Sequence, residues 1–403
     1  MKIKDMIPQH ATLTQTTSLD DIIAKVQAGQ RLSFDDGMRL FESYDLLTIG
    51  QLADLVNRRI NGGQYVYFNQ NRHVNPTNVC AFHCNFCSFA RHSDDEPGAY
   101  TWTPEQIVER IRADVHPRVT EFHIVGGLHP DLGFEYYEDV LRALKQAYPN
   151  VHLKAFTGVE IDFFAQMTGL DHETILRRLM DAGLGSMPGG GAEIFHPDIR
   201  RRICPEKADA ETWLDVHRTA HKLGLRTNAT MLYGHIEQYE HRVDHLMRLR
   251  ELQDETGGFQ TFIPLRYHPE NNNLGRQLDW TSAHDTLKTI AVSRLLLDNF
   301  PHVKAYWVML TPPIAQLSLH FGADDIDGTV VEEKIYHDAG ATTEEFLDKF
   351  DLLRLIKAAG KTPVERDTLY NIIEIYDQPL ETYAPDSRKT RRGKLKVAHI
   401  ELN

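Results

Sequence analysis

Cysteine is scarce in this chain of 403 residues. There are four, too few and too clustered for a disulfide-stapled secreted scaffold. No apolar run is long enough to cross a bilayer, and none follows the N-terminal MKIKDMIPQH. Neither a membrane span nor a signal peptide is therefore expected, and the expected location is the cytoplasm. Positive charge is also in deficit. A formal net charge of −13 argues against broad binding to nucleic acid or to an anionic membrane, and leaves room only for a local basic pocket for a small anion. The glycine fingerprint of doubly wound dinucleotide-binding sheets is missing. So are low-complexity linkers and any repeat beyond a strand–helix period.

What remains is an ordinary globular composition, 41% apolar and 25% charged. The first sixty or so residues have helical spacing, with Leu19, Ile22, Ile23 and Val26 on one face and a second run from Met38 to Ile60. A strand is expected at QYVYFNQ, followed by a cysteine-rich loop. Strand-like and helix-like segments then alternate. EFHIVGG, HLKAFTGVE, LGSMPGGG, LRTNATMLYG, FQTFIPLRY and KAYWVML read as strands, with helical stretches between them. With DDIDGTV the strands number roughly eight, which predicts an α/β chain folded as a TIM-like (β/α) barrel, complete or nearly complete. The expected division is a helical N-terminal extension over 1–62, a barrel core over 63–335, and a C-terminal helical extension and tail over 336–403 ending in the charged SRKTRRGKLK.

The densest chemistry lies in NPTNVCAFHCNFCSFAR, where Cys80, Cys84 and Cys87 are spaced C-x3-C-x2-C on a loop after a strand. Three thiolates this close can hold one face of an iron–sulfur cluster. Cubane clusters normally take four cysteines, so three leave one iron open for another ligand. This is the arrangement of radical S-adenosylmethionine (SAM) chemistry, in which the open iron chelates SAM and an electron breaks its sulfonium bond. A Cys3His zinc site completed by His83 or His92 is the competing reading, but zinc sites favour two separated ligand pairs and no second pair exists. Cys204 stands alone in RRICPEK, poorly placed for the alternative of a fourth cluster ligand, and reads as a small buried hydrophobe.

In a barrel the chemistry sits at the C-terminal ends of the strands. Gly126 and Gly127 end one strand, either for close backbone approach to a ligand or as a plain tight turn. Gly189, Gly190, Gly191 and Glu193 offer backbone donors and a carboxylate suited to the ribose or ammonium of SAM; the alternative is a loop with a helix-capping acid. Phe86 is either a ring that meets adenine or a loop aromatic packed on the core. Glu160, His129, His235, Arg266 and His268 follow strands and are candidates for substrate contact or proton transfer, with Arg266 placed to clamp a carboxylate. Met231 and Met309 read as core filler.

The cysteine loop, HIVGGLHPDLGFEYYEDVL, HLKAFTGVEIDFFA, MPGGGAEIF and GADDIDGTVVEEKIYH together resemble the aminofutalosine synthases, radical SAM enzymes of the futalosine route to menaquinone. The resemblance runs from about residue 20 to at least residue 360. The GGGAEI and GTVVEEKI stretches are shared with cyclic dehypoxanthine futalosine synthases and deazaflavin synthase subunits, and KAFTGVEI after HIVGGLHP is what favours the first family. The resemblance implies a radical SAM barrel and a transferase that adds the 5′-deoxyadenosyl radical of SAM to the vinyl carbon of 3-[(1-carboxyvinyl)oxy]benzoate. Aryl migration and loss of a carboxylate as bicarbonate then give 6-amino-6-deoxyfutalosine and methionine. It further implies a [4Fe-4S] cluster on Cys80, Cys84 and Cys87, with SAM as co-substrate near Phe86, Gly126, Gly127, Gly190 and Glu193. Leu128 stands where many superfamily members carry glutamate. Arg91, Arg266 and His268 are the cations expected to meet a small dicarboxylate substrate, with Glu160 as a further catalytic candidate. A low-potential electron donor, flavodoxin or ferredoxin, is implied as partner.

Overall fold

In the computed structural model, which describes residues 18–383, alternating strands and helices form a curled seven-stranded sheet with helices outside it and a four-stranded sheet at its side. The strands are β1 (Tyr65–Asn69), β2 (Asn71–Val74), β3 (Glu121–Ile124), β4 (His152–Ala155), β5 (Ser186–Met187), β6 (Arg226–Tyr233), β7 (Phe259–Arg266), β8 (His302–Val303), β9 (Asp325–Gly328), β10 (Thr362–Arg366) and β11 (Ile372–Ile375). Local signals start and stop the helices between them. Thr103, Thr157, Asp171 and Asp209 each cap a helix by accepting a hydrogen bond from a first-turn amide, and Gly169 and Gly183 end helices in the left-handed conformation.

Seven parallel strands run in the order β2-β3-β4-β5-β6-β7-β8. The expected eighth segment, DDIDGTV, spans the gap between the two edges. Asp324 N donates to Val303 O (3.0 Å) and Ala305 N to Asp325 O (2.8 Å) on one side, and His73 N donates to Val331 O (3.0 Å) on the other. The (β/α) barrel is thus nearly complete, closed by isolated bonds rather than by a full ladder. β9 also belongs to a second sheet, ordered β11-β10-β1-β9, at the side of the barrel.

Four sequence expectations change. QYVYFNQ is a strand, but it pairs with β9 and β10 in the side sheet, and the barrel begins with β2. Two strand-forming runs meet at Gln70, and alternation says nothing about which partner each will find. KAYWVML is largely helical, with a turn at Trp307–Leu310. Residues 305–310 are all buried, so the run has no alternation to separate strand from buried helix. HLKAFTGVE stops being a strand at Ala155, because Thr157 and Glu160 form a capping box that opens the helix Gly158–Thr168. The segment after 336, expected as helical, holds the helix Lys349–Ala358 but also β10 and β11. The tail SRKTRRGKLK lies outside the described residues.

Of the three N-terminal helices, Phe34–Glu42 packs on the barrel's outer helices Tyr239–Thr256 and Ala283–Leu296, Leu46–Asn61 packs on Ala283–Leu296, and Asp20–Gln27 packs on Leu46–Asn61. Glycines permit the close approach. A Cβ on Gly37 would meet Leu296 at 3.0 Å, and one on Gly50 would sit 2.6 Å from the Phe321 ring. No described helix is long and apolar enough to cross a membrane.

Candidate active site

A cavity of about 280 Å³ fills the barrel mouth and reaches down between the strands. Cys80, Cys84 and Cys87 all line it. Backbone bonds pin their loop on three sides. Cys80 N donates to Arg91 O (2.7 Å), Ala81 N to Leu128 O (2.8 Å) and Asn85 N to Ile203 O (2.8 Å). Arg91, expected to meet substrate, is used inside this loop. Its Nη1 donates to the carbonyls of Ser88, Phe89 and Ala90 at 3.0–3.2 Å. Cys204 is buried in the apolar core.

Gly126, Gly127, Gly189, Gly190 and Gly191 line the cavity, and the protein itself requires glycine at these places. A Cβ on Gly127 would lie 2.1 Å from Val79 O, and one on Gly189 2.7 Å from Asn228 O. The first contact brings the β3 loop against the cysteine loop. Gly190 O accepts the Trp213 indole N–H at 3.1 Å. Glu160 also reaches this turn. Its Oε1 accepts from Gly126 N (3.3 Å) and its Oε2 from Thr157 N (2.6 Å), while burial pushes the carboxyl up to about 7. Its carboxylate is occupied by two backbone amides, which makes it a support for the glycine turn.

Glu193 is buried with a left-handed φ of 47°, a strained conformation for a non-glycine residue of the kind that concentrates at functional sites. Its Oε1 accepts from Lys207 Nζ at 2.6 Å, and that ammonium lies 5.0 Å from the centre of the Phe86 ring. Lys207 went unnoticed in the sequence. The short helix Pro197–Ile203 brings it back beside Glu193, and nothing in RRICPEK marks it.

Arg266 ends β7 and His268 follows it, and both line the cavity. Among the described residues no carboxylate pairs with Arg266. Its Nε lacks a partner, and the guanidinium lies 5.2 Å from the Trp280 ring centre. His268 Nε2 contacts Met309 O (3.1 Å), Nδ1 has no partner, and burial pushes the ring down to about 4, so it is neutral at pH 7. Met309, expected as filler, also lines the cavity. His129 and His235 do not contribute to it. His129 is taken up by Asp94 and the amide of Asp131, and His235 by Leu232 O and the amide of Ile236.

Residues 74–249 match the radical SAM superfamily, and residues 256–379 match the CofH/MqnC C-terminal region. Two curated relatives, both named aminodeoxyfutalosine synthase, align along nearly the whole chain. The one from Thermus thermophilus is 48% identical over 360 residues, covering 89% of this chain and 96% of its own length. The one from Streptomyces coelicolor is 50% identical over 365 residues, covering 88% and 94%. The chain belongs to the aminodeoxyfutalosine synthase family of radical SAM enzymes. A related 5-amino-6-(D-ribitylamino)uracil–L-tyrosine 4-hydroxyphenyl transferase from Methanopyrus kandleri is 42% identical, covering 78% of this chain and 86% of its own. Among solved structures, the FeFe-hydrogenase maturase HydG from Carboxydothermus hydrogenoformans superposes with a TM-score of 0.67 at 18% identity, covering 87% of this chain and 80% of its own. Methylornithine synthase (PylB) gives 0.64 at 17%, covering 86% and 97%. These two show a shared fold.

Membership in the superfamily implies an iron–sulfur cluster and SAM. The residues present fit both. The three loop cysteines are free and half-buried, and burial pushes the thiols of Cys80 and Cys84 up, so a thiolate there needs a cationic centre beside it. Among the described residues, no three His, Cys, Asp or Glu side chains gather as ligands for a single ion. Thiolates bound to separate corners of a cluster need not converge on one point.

Proposed function

We propose that this enzyme joins the 5′-deoxyadenosyl group of SAM to 3-[(1-carboxyvinyl)oxy]benzoate, releasing methionine and bicarbonate and forming 6-amino-6-deoxyfutalosine for menaquinone biosynthesis. The single observation that carries the reading is a shared cavity. The three cysteines, the strand-end glycines and the acid-free Arg266 all face the same 280 Å³ space, in a chain about half identical to two enzymes named for this product.

Cys80, Cys84 and Cys87 would hold a [4Fe-4S] cluster, which when bound supplies one low-potential electron to the sulfonium of SAM. The loop's three backbone anchors fix the thiols relative to β3 and to the helix Pro197–Ile203. Gly126, Gly127 and Gly190 let the strand-end loops pack close enough to offer their backbone to SAM, and Glu160 holds the Gly126 amide in place. Glu193 with Lys207 offers SAM one anion and one cation beside Phe86. Arg266 takes a substrate carboxylate in a two-pronged contact, while neutral His268, whose one N–H is given to Met309 O, lines the site next to it. The apolar lining from Ile263, Leu265 and Tyr306 excludes water and suits an aromatic ring. A flavodoxin or ferredoxin as electron source, a cytoplasmic location, and the division at 62/63 and 335/336 belong to the same reading.

The test is an anaerobic assay of cluster-reconstituted protein with SAM, dithionite and the vinyl ether, read by mass spectrometry. The expected result is the aminofutalosine adduct, lost in Cys84→Ala. Free 5′-deoxyadenosine without adduct would overturn the substrate, and no SAM cleavage from intact cluster would overturn the enzyme class.

A further inference from the structure

Below the cysteine loop the barrel interior departs from the usual filling of branched apolar side chains. β2, β3 and β4 pair in register, with His73 opposite His123 and His123 opposite Lys154. The three therefore form one row across adjacent strands, and all three line the cavity. The rings of His73 and His123 stack, centroids 4.7 Å apart at 11°. His73 is buried, and its Nε2 has no hydrogen-bond partner. A buried polar atom left bare in this way is what a site looks like before its ligand arrives. Lys154 reaches Glu121 Oε1 at 2.5 Å, and its ammonium has further N–H groups to give. Lys304 and Asp327 line the same cavity and pair at 2.5 Å, so each of the two lysines already has one carboxylate.

We propose that the row His73–His123–Lys154 binds the ring carboxylate of the substrate, leaving Arg266 for the carboxylate that is lost. The assignment rests on the substrate named above and deepens it. Distance agrees. His123 lies three residues before Gly126, about 10 Å along extended chain, and a benzoate bearing a vinyl ether spans a comparable length. With the vinyl carbon at the level of the glycines, the far carboxylate reaches the row. The ring carboxylate survives in the product, so its site has only to hold, while the other carboxylate must sit at the reacting end. A row deep in the barrel serves the first need, and the rim serves the second. The row also rejects molecules of similar shape that lack the ring anion, because they would leave the bare Nε2 of His73 without a partner.

The experiment compares 3-[(1-carboxyvinyl)oxy]benzoate with its benzamide analogue in wild type, His73→Phe and His123→Asn. Iron content and thermal midpoint serve as controls for folding. Wild type should lose about 100-fold in kcat/KM on the analogue, the worth of a charge-assisted contact. In the variants the natural substrate should fall by about the same factor and the analogue far less, so discrimination shrinks below about 10-fold. Undiminished discrimination in folded variants overturns the assignment. If neither variant folds, equal turnover of the two compounds by wild type overturns it. Absence of adduct from wild type with the natural compound fails the proposed function, and this assignment with it. Adduct in wild type with unchanged variants fails the assignment alone.

Discussion

Arg266 offers a test in which stability and function move in opposite directions. Its side chain is half-buried with Nε sealed from water, and its guanidinium packs over Trp280 and pairs with no acid among the described residues. Burial accordingly pulls it below its ordinary range. An unpaired desolvated charge is a standing cost to the fold, and replacing it with an apolar chain of similar length removes that cost. Arg266→Met should therefore raise the thermal midpoint of the substrate-free protein, by an increment on the order of 1 kcal/mol. The same change deletes a charge-assisted contact to a substrate carboxylate worth about 1.5–3 kcal/mol, which is about 10- to 150-fold in affinity. Arg266→Lys should fall between, since it keeps the charge and loses the fork. Anaerobic thermal denaturation with and without substrate reads the first effect, and substrate titration of the reconstituted enzyme reads the second. A lower midpoint with unchanged substrate affinity would show that Arg266 is a structural residue and would refute the reasoning.

Three further outcomes are expected. Lys207→Met leaves the Glu193 carboxylate buried without its cation, a loss of about 3 kcal/mol. The double variant with Glu193→Gln should recover most of that stability in thermal denaturation while SAM binding, measured by equilibrium dialysis, stays weak. Gly127→Ala places a Cβ 2.1 Å from Val79 O, so the cysteine loop must shift, and iron content after reconstitution should drop well below that of wild type. Glu160 has its folded carboxyl raised from 4.5 to about 7, so the native state binds this proton more tightly than the unfolded chain does. Stability from this group is present below pH 4.5 and is lost as pH rises toward 7. The midpoint of Glu160→Gln relative to wild type should thus increase between pH 5 and pH 8, and a constant difference across that range would contradict the shift.

Much of this enzyme could be read along the chain because the relevant physics is local. The spacing of Cys80, Cys84 and Cys87 sets how far apart three thiolates can be, whatever surrounds them. The strand–helix period follows from side-chain alternation and capping, and Thr157 with Glu160 shows that even the misread boundary had left its capping signature in the sequence. The identities of Arg266 and His268 as strand-end residues came from the same periodicity, and the fold does bring both to the cavity.

Other features depend on which distant atoms become neighbours. Arg91 looked like a free cation until the loop closed around its guanidinium. Glu160, a candidate for substrate contact or proton transfer, lines the cavity and is also held by two backbone amides that no spacing could foretell. Lys207 is an unremarked residue that a short helix sets against Glu193 and Phe86. The row His73–His123–Lys154 joins three strands that are far apart in the chain and exists only through their register. Local chemistry and periodicity thus determined the cluster loop and the barrel, because both depend on short-range geometry. Tertiary packing decided which charges are spent within the protein and which are left for a ligand, because partnership between buried charges is a property of contacts that no spacing along the chain encodes.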